Sequence, residues 1–348
     1  MKKHLIDSGA SLRDAFGRLN NLSGGNLTLF VVDAEERLVG SLTDGDLRRA
    51  IIAGRTLETD VADVCRRPCM SLSDGADRLC AVSEARSRGV TLLPLTDSEG
   101  RITQLLDLRT LKAVLPIDAV LMAGGRGERL RPLTLDCPKP LLNVGGRPII
   151  DYNIDELRAN GVDNIFVTVN YLKEQIIEHF SDPRFEGCVR CVSEPRRLGT
   201  MGSLSLIPDE EFRHDNILVM NSDLLTTIDF QRLYLHHARS GAALTVAATP
   251  YTVSIPFAIL RTEGSRVTGL TEKPTYNYFA NAGVYIMRRD VARSIPHGEY
   301  LDAPDLIERL IDEGRPVEYF PIDGSWIDIG SPDDFRYANE LMSRLPQI

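Results

Sequence analysis

One glycine-rich stretch constrains this chain more than any other. It spans residues 117–148 and reads IDAVLMAGGRGERLRPLTLDCPKPLLNVGGRP. Its opening apolar run, 117–122, is short and carries β-branched residues, which predicts a buried β-strand. Three glycines follow around Arg126, and these are Gly124, Gly125 and Gly127. Because glycine has no Cβ, backbone N–H groups in such a turn can approach an anion closely, and a guanidinium adds donors that match phosphate oxygens. We therefore predict an anion-binding turn.

Two common phosphate-binding motifs do not fit this stretch. A dinucleotide fingerprint needs a third glycine where this chain has Leu130, and a Walker loop needs a Gly-Lys-Ser/Thr that does not follow. The stretch instead resembles the signature of the sugar-1-phosphate nucleotidyltransferases, in which L-A-G-G-x-G-T-R-L-x-P-L-T precedes P-K-P-L-L and G-x-P. Glu128 departs from that signature, because the family usually has Thr or Ser there. The alternative is a Gly-rich connection between a strand and a helix that holds no ligand.

Length and charge limit the classes of protein that this chain can represent. Its 348 residues suffice for two domains with separate cores. The net charge is −9 while residues 1–115 are balanced, so the acidic excess lies beyond them and argues against broad binding to nucleic acid or anionic membranes. No apolar run reaches the length of a membrane span, and no signal-peptide core follows the first residues. We expect a cytoplasmic protein that binds neither nucleic acid nor membrane, and we also expect a homo-oligomer.

The six cysteines show no paired framework, so we expect free thiols. Cys188 and Cys191 form a lone C-x-x-C within a predicted strand, where residues three apart point to opposite faces. We therefore do not expect zinc.

Residues 1–115 read as an internal repeat with an offset of 64 residues. In the first half an amphipathic segment from Leu12 precedes two strands and a helix that opens at Asp44. In the second half a segment from Ala76 precedes two strands and a helix from Leu108 onward. Each copy is too small to bury both faces of its strands, so the two should pack against each other.

This repeat resembles a tandem pair of CBS domains, with repeats at about 1–60 and 61–115. CBS domains are β-α-β-β-α modules that often bind adenosine nucleotides. The matching run is GSLTDGDL at residues 40–47, against a family pattern of G-x-[IV]-T-x-x-D-[LIV]. The resemblance implies that Thr43 and Asp46 face the ribose of an adenine nucleotide.

The second copy has Asp107 and Thr110 at the matching positions, in the reverse order, so we expect that copy to be degenerate. For the first copy an alternative stays open. Thr43 can be the N-cap of a helix with Asp46 at N3, which is a capping box that needs no ligand.

Beyond Ile149, strands alternate with helical segments, which predicts an α/β fold with a mostly parallel sheet and helices on both faces. The resemblance implies a Rossmann-like nucleotidyltransferase domain over residues 116–348, preceded by the α+β CBS pair. Ser331 and Pro332 predict the start of a last helix. In open sheets of this kind, ligands bind at the carboxyl ends of the strands.

Two aspartates are candidates for holding magnesium. Asp223 follows the predicted strand Ile217–Met220, where a carboxylate can bind Mg²⁺ beside nucleotide phosphates. Asp328 lies in the run WIDIG. Both fit the family pattern, in which an aspartate after a central strand and a later one in a W-x-D-x-G-T-like run share the metal. The alternative is that each aspartate only caps a turn.

The sugar site rests on resemblance. Glu272-Lys273-Pro274 matches the family's E-K-P, which implies that Glu272 accepts from sugar hydroxyls and that Lys273 neutralises the sugar phosphate. Asn281, in the run NAGVY, follows in the family order and is assigned to the same site. Taken alone, E-K-P is typical of a solvated turn. Phe257 stands where many relatives have tyrosine, so the resemblance does not identify the sugar.

Glu194 is the candidate for reading the base. Guanine offers two adjacent donors that a carboxylate can accept together, whereas uracil and thymine offer one, so Glu194 favours GTP. With Gly199 and Thr200 it also resembles the E-x-P-L-G-T-A-G of guanylyltransferases. The alternative is that Glu194 caps the helix beginning near Thr200.

The sequence therefore favours a Mg²⁺-dependent sugar-1-phosphate guanylyltransferase that uses GTP and a sugar 1-phosphate. Arg126 and the glycine turn would hold the β and γ phosphates of the nucleotide. Lys139 would stabilise the negative charge that develops near the α-phosphate, and Lys273 would screen the charge of the sugar phosphate, which is the nucleophile. The domain order resembles the glucosamine-1-phosphate guanylyltransferases of legionaminic acid biosynthesis.

Three alternatives stay open. The chain could be a CBS-regulated nucleotide-binding protein that no longer turns over, or it could use UTP, dTTP or CTP. It could also be a metal-dependent glycosyltransferase, although that class normally has D-x-D where this chain has Asn-Ser-Asp at 221–223.

Overall fold

A computed structural model describes residues 1–22, 25–73 and 78–344 of the chain. The chain divides into two compact units, Met1–Leu115 and Pro116–Ile348. None of the described helices is both long and apolar enough to cross a membrane. None of the six cysteines forms a disulfide bond in the described structure.

The first half of the smaller unit is a three-stranded sheet with two helices. Strand β1 runs parallel to β2, and β2 runs antiparallel to β3. Leu12, Ala15 and Leu19 recur on one face of the first helix and pack on the sheet, because their spacing follows the helical repeat. The elements are β1 (Leu5–Asp7), α1 (Leu12–Asn21), β2 (Thr28–Val32), β3 (Leu38–Thr43) and α2 (Asp44–Ile52).

The second half has the same strand order, and its sheet packs on that of the first. Phe30 and Val32 share a buried cluster with Leu92 and Ile102, as expected for two copies too small to bury their strands alone. The predicted start of its helix at Ala76 lies outside the described residues. The elements are β4 (Leu72–Ser73), α3 (Arg78–Ser87), β5 (Leu92–Thr96) and β6 (Ile102–Asp107).

The helix predicted from Leu108 onward is wrong, since residues 108–110 form a turn. The carboxylate of Asp107 accepts a hydrogen bond from the Arg109 backbone N–H at 3.1 Å and two more from the Arg109 guanidinium. A local side-chain bond of this kind favours a turn over a helix start.

The larger unit is built on one seven-stranded sheet. Its elements, in chain order, are β7 (Asp118–Met122), β8 (Asn143–Val144), β9 (Arg147–Pro148), α4 (Ile149–Ala159), β10 (Ile165–Val169), α5 (Lys173–His179), β11 (Val189–Ser193), α6 (Gly199–Gly202), β12 (Asn216–Asn221), β13 (Leu224–Thr226), α7 (Phe230–Ser240), β14 (Leu244–Ser254), β15 (Ile259–Glu263), β16 (Arg266–Thr271), β17 (Thr275–Arg288), α8 (Arg289–Arg293), α9 (Ala303–Asp312), β18 (Val317–Pro321), β19 (Trp326–Asp328) and α10 (Pro332–Arg344).

The strand order in this sheet is β11-β10-β7-β12-β17-β14-β18, and only β17 is antiparallel to its neighbours among these seven strands. The predicted α/β fold with a mostly parallel sheet is therefore confirmed. Helix α10 begins after Ser331, whose hydroxyl accepts from the Asp334 backbone N–H at 3.3 Å, as its sequence predicted.

The outer halves of β14 and β17 leave the sheet as a two-stranded ribbon, which the sequence did not predict. The β15–β16 hairpin lies in the connection between these two strands. Side chains on the ribbon are exposed, including Tyr251, Tyr278 and Phe279. This ribbon and its hairpin carry the predicted sugar-site residues.

Candidate active site

The site forms where three neighbouring parallel strands end. Strand β7 lies between β10 and β12, and Met122 at its end is paired with Thr168 on one side and Asn221 on the other. The segments that follow β7 and β12 therefore begin beside each other. These segments are the glycine turn and the loop that carries Asp223.

The three glycines of the turn serve different purposes. A Cβ on Gly124 would lie 2.6 Å from Glu194 Oε1. Gly127 has a φ of +59° and packs against Lys139, so a side chain there would be strained. A Cβ on Gly125 would meet nothing within 4 Å in the described structure. The protein itself thus requires the outer two glycines, while the middle one leaves open space.

Asp223 and Asp328 come together through a small sheet. Strand β13 pairs antiparallel with β19, and this register places Leu224 opposite Asp328. Lys139 lies between the two carboxylates. Its ammonium donates to Asp223 Oδ2 and lies 3.6 Å from Asp328 Oδ1. The lysine, Asp223 and Asp328 side chains are 12%, 19% and 35% exposed, so this ion cluster is mostly shielded from water.

The electrostatics of the pair fit a divalent cation. Burial raises the pKa of Asp328, and the charge of Asp223 raises it further, against the opposing charges of Lys139 and Arg129. The other oxygen of Asp223, Oδ1, is buried and has no hydrogen-bond partner in the described chain. An unpartnered buried carboxylate oxygen is an apt ligand for a hard cation.

The described ranges contain no group of three His, Cys, Asp or Glu side chains that could enclose a metal. Mg²⁺ is commonly held by one or two carboxylates, with water and substrate phosphates as its other ligands. Asp223 and Asp328 therefore fit Mg²⁺ better than a metal that needs a full protein cage.

Two cavities adjoin at this cluster. The first, of about 330 Å³, is lined by Met122, Gly124, Gly125, Arg129, Thr168, Glu194, Arg197, Gly199, Thr200, Asn221, Asp223 and Asp302. The second, of about 360 Å³, is lined by Gly125, Arg126, Gly127, Glu128, Arg129, Leu130, Lys139, Arg197, Asp223 and Gly330. Both cavities share Gly125, Arg129, Arg197 and Asp223. The Oγ1 of Thr168, on the wall of the first cavity, is a second buried polar atom without a partner in the described structure.

Glu194 lies deep in the wall of the first cavity and is 5% exposed. Its Oε2 accepts from the backbone N–H of Leu198 at 3.0 Å, at the start of α6. Glu194 therefore caps α6 with its Oε2, which is the alternative given above, while its Oε1 lies beside Gly124. Burial raises the pKa of Glu194, against the Leu198 hydrogen bond and the charge of Arg197.

Gly199 and Thr200 line the first cavity and also join α6 to α9. The Thr200 backbone N–H donates to Asp302 Oδ1 at 3.0 Å, and its hydroxyl accepts from the Ala303 N–H at 2.7 Å. Gly199 has a φ of +78° and passes close to Leu301. Both residues thus have a structural role at the cavity wall.

The sequence assigned phosphate binding to Arg126 and did not single out Arg129. Arg126 lines the second cavity alone and lies 3.9 Å from Glu128 in an exposed ion pair. Arg129 lines both cavities, and a Cβ on Gly330 would lie within 3.1 Å of its guanidinium and 3.2 Å of Asp328. The signal that could have found Arg129 is its place in the R-L pair of the glycine-rich signature.

Glu272, Lys273 and Asn281 line neither of the two cavities. Glu272 and Lys273 are exposed in the turn between β16 and β17, and Lys273 has a φ of 42°. Asn281 lies on β17, where its Oδ1 accepts from the Gly283 N–H at 3.0 Å. A Cβ on Gly283, two residues beyond Asn281, would lie 2.4 Å from Asn221 Nδ2, so this part of β17 reaches the wall of the first cavity. The structure therefore gathers the predicted phosphate and metal residues and brings the segment of Asn281 next to them, while Glu272 and Lys273 lie in the exposed turn.

In the smaller unit, Thr43 and Asp46 form the capping box of α2. The Asp46 carboxylate is buried and accepts from the Thr43 N–H at 2.9 Å, from Arg49 at 2.6 Å and from Arg66 at 2.7 Å. The capping alternative is thus realised. Ribose binding by Asp46 stays a prediction, and it would require the exchange of one of these bonds.

Comparison with known sequences identifies the class. The sequence profile of the nucleotidyl transferase family matches residues 118–344, and that of the CBS domain matches residues 3–53. The chain therefore belongs to the nucleotidyl transferase family and carries a CBS domain.

Individual relatives are similar over the larger unit. A putative mannose-1-phosphate guanyltransferase of Sulfolobus acidocaldarius is 30% identical over 230 residues, covering 65% of this chain and 64% of its own. The mannose-1-phosphate guanylyltransferase of Mycobacterium tuberculosis is 31% identical over 227 residues, with 63% and 62% covered. A UTP–glucose-1-phosphate uridylyltransferase of Synechocystis is 29% identical over 246 residues, with 65% and 63% covered. This chain thus spans somewhat less than two thirds of the length of these curated relatives.

A solved structure shares the fold. The crystal structure of HddC from Yersinia pseudotuberculosis superposes with a TM-score of 0.52 at 23% identity, covering 65% of this chain and 99% of that one.

Proposed function

We propose that this protein transfers a nucleotidyl group from a nucleoside triphosphate, preferably GTP, to a sugar 1-phosphate. The products are a nucleotide-sugar and pyrophosphate, and cell-surface sugar biosynthesis is the expected use. The observation that carries this proposal is the convergence of the glycine turn, Lys139 and Asp223 on two adjoining cavities, with Asp328 beside Lys139.

The reaction is an in-line displacement at phosphorus. An oxygen of the sugar 1-phosphate bonds to the α-phosphorus while the bond from that phosphorus to the bridging oxygen breaks. Pyrophosphate leaves with the electron pair. Arg126, Arg129 and the backbone of the glycine turn bind the nucleotide phosphates, and Lys139 faces the charge that grows around the α-phosphate. Lys273 is assigned to the sugar phosphate by its match to the family's E-K-P.

Asp223 and Asp328 would hold Mg²⁺. When bound, this ion would neutralise phosphate charge and help to orient both substrates. The unpartnered Asp223 Oδ1 supports this assignment.

GTP is favoured on two grounds. Glu194 places a buried carboxylate oxygen beside the first cavity, and a carboxylate suits the paired donors of guanine. Two of the relatives described above are named for guanylyl transfer. The sugar is less constrained, because those two relatives are named for mannose 1-phosphate and the third for glucose 1-phosphate, while the domain order favours glucosamine 1-phosphate.

A direct assay tests the proposal. Pyrophosphate release by the full chain is measured with GTP, UTP, dTTP and CTP against mannose, glucosamine, glucose and heptose 1-phosphates, with and without Mg²⁺. We expect release with GTP and one of these sugars, and its loss on chelation. If the wild-type chain binds GTP but releases no pyrophosphate with any pair of substrates, the proposed enzymatic activity is refuted.

Asp223→Asn tests the metal assignment. We expect turnover below about one hundredth of wild type from the loss of a metal ligand, and thermal unfolding verifies that the variant is folded, because Asp223 also pairs with Lys139. The matched control is Asp323→Asn, which removes an exposed pair with Arg232. If Asp223→Asn and Asp323→Asn turn over alike, Asp223 does not hold the metal.

The CBS unit and the oligomer complete the proposal. We propose that the smaller unit binds an adenine nucleotide and adjusts the rate, and that the protein acts as a homo-oligomer. Turnover measured with added AMP or ATP, and light scattering, test these two points.

A further inference from the structure

We propose that Arg197 contacts the reacting phosphates of the nucleotide, as a second guanidinium beside Arg129 supplied by a different loop. The inference rests on the proposed function, since it assigns a further catalytic residue to the same site. Arg197 lies between β11 and α6, outside the glycine-rich signature.

Its position is the first argument. The first cavity extends toward Glu194 and Thr200, where the base is expected, and the second extends along the glycine turn, where the β and γ phosphates are expected. Arg197 belongs to both cavity walls, and so does Asp223. A nucleotide that occupies both cavities therefore has its α-phosphate near their junction, which is where Arg197 lies.

Its lack of a protein partner is the second argument. Within the described residues, Arg197 makes no hydrogen bond or ion pair, whereas the adjacent Arg196 donates to the carbonyl of Gly298 at 2.9 Å. The nearby carboxylates have other partners. Glu194 accepts from Leu198, and Asp302 accepts from the Thr200 N–H. A guanidinium at a cavity junction that forms no ion pair with these carboxylates within the described residues is suited to a phosphate ligand.

The chemistry gives this guanidinium a function. During the displacement, negative charge is distributed over the non-bridging oxygens of the α-phosphate, and fixed donors that face these oxygens lower the barrier. Arg197 is exposed, and its guanidinium offers five N–H donors and no acceptor, so it acts by contact and by charge.

The test compares adjacent arginines in the full chain. Arg197→Gln removes the charge at the junction, Arg197→Lys keeps the charge without the fork of donors, and Arg196→Gln is the matched control. Binding of inorganic pyrophosphate and of GTP is measured by calorimetry with Mg²⁺ present. kcat and KM are measured by pyrophosphate release, and thermal unfolding verifies that each variant is folded.

We expect Arg197→Gln to lower kcat/KM by about 10- to 100-fold, the range for one charged hydrogen bond, with Arg197→Lys between it and wild type. Arg196→Gln should stay near wild type. Equal binding and turnover in the two glutamine variants would overturn the proposal. If the wild type releases no pyrophosphate at all, the proposed function fails separately, and the binding of pyrophosphate and GTP to Arg197→Gln still decides the contact.

Discussion

Replacing Lys139 by methionine tests whether the central ion cluster is organised for a cation. Methionine keeps much of the side-chain volume and removes the charge between Asp223 and Asp328. Two unit charges about 4 Å apart attract by about 4 kcal/mol near a protein surface, and desolvation and residual exposure offset much of this. Because Asp328 is about one third exposed, we expect a net loss of about 2 kcal/mol. For a unit of this size that corresponds to a melting temperature lower by about 4–8 °C.

The assay is thermal unfolding of the full chain with and without Mg²⁺. Without metal, Lys139→Met leaves two carboxylates facing each other with no cation between them. Added Mg²⁺ can bind there without displacing an ammonium, so we expect it to raise the melting temperature of the variant more than that of wild type. The matched control is Lys173→Met. Lys173 lies at the start of α5 and forms no ion pair with another described residue.

One result would refute this reasoning. If Lys139→Met melts within about 1 °C of wild type, and Mg²⁺ shifts both proteins equally, the ammonium does not hold the two carboxylates together. Activity alone would not decide the point, because Lys139 is also proposed to face the α-phosphate.

Two further substitutions test the first cavity. Gly125→Ala should unfold like wild type, since no described atom lies within 4 Å of the added Cβ, yet it should bind GTP at least about tenfold more weakly by calorimetry. Burial raises the pKa of Glu194 above that of a glutamate in the unfolded chain. The unfolded state therefore loses this proton more readily, and the free energy of unfolding falls as pH rises above the usual glutamate range. Glu194→Gln should therefore be more stable than wild type at pH 7 and equal to it in acid, by urea unfolding. It should also reduce the preference for GTP over UTP by about tenfold, and an unchanged preference would remove Glu194 from base recognition.

The fold could be predicted where short apolar runs alternate with helical segments. Strands β7, β10 and β12 are such runs, and each is almost fully buried because helices and neighbouring strands cover it. The direction of β17 could not be predicted, since a strand's period is the same in parallel and antiparallel pairs. The ribbon was missed because its exposed aromatic residues lack the one-sided alternation that marks a half-buried strand.

The residues of the site also differ in how far the sequence could predict them. Residues close together in sequence, such as the glycine turn, could be assigned from their local pattern. The meeting of Asp223 with Asp328 depends on the β13–β19 register, and no local pattern encodes that register. Arg197 was missed for a related reason, because an isolated arginine in a loop is typical of a solvated surface until the cavities around it are known.

The glycine turn shows why even a clear motif leaves its chemistry undecided. Residues 124, 125 and 127 are all glycine, and the sequence predicted that all three bind the nucleotide. In the structure, Gly124 makes room for the buried Glu194 and Gly127 holds a left-handed turn against Lys139. Both glycines therefore position side chains of the site. The space above Gly125 is the part that a phosphate could occupy. Substitution at the outer glycines should then change the protein's own packing, whereas substitution at the middle one should change only what the protein binds.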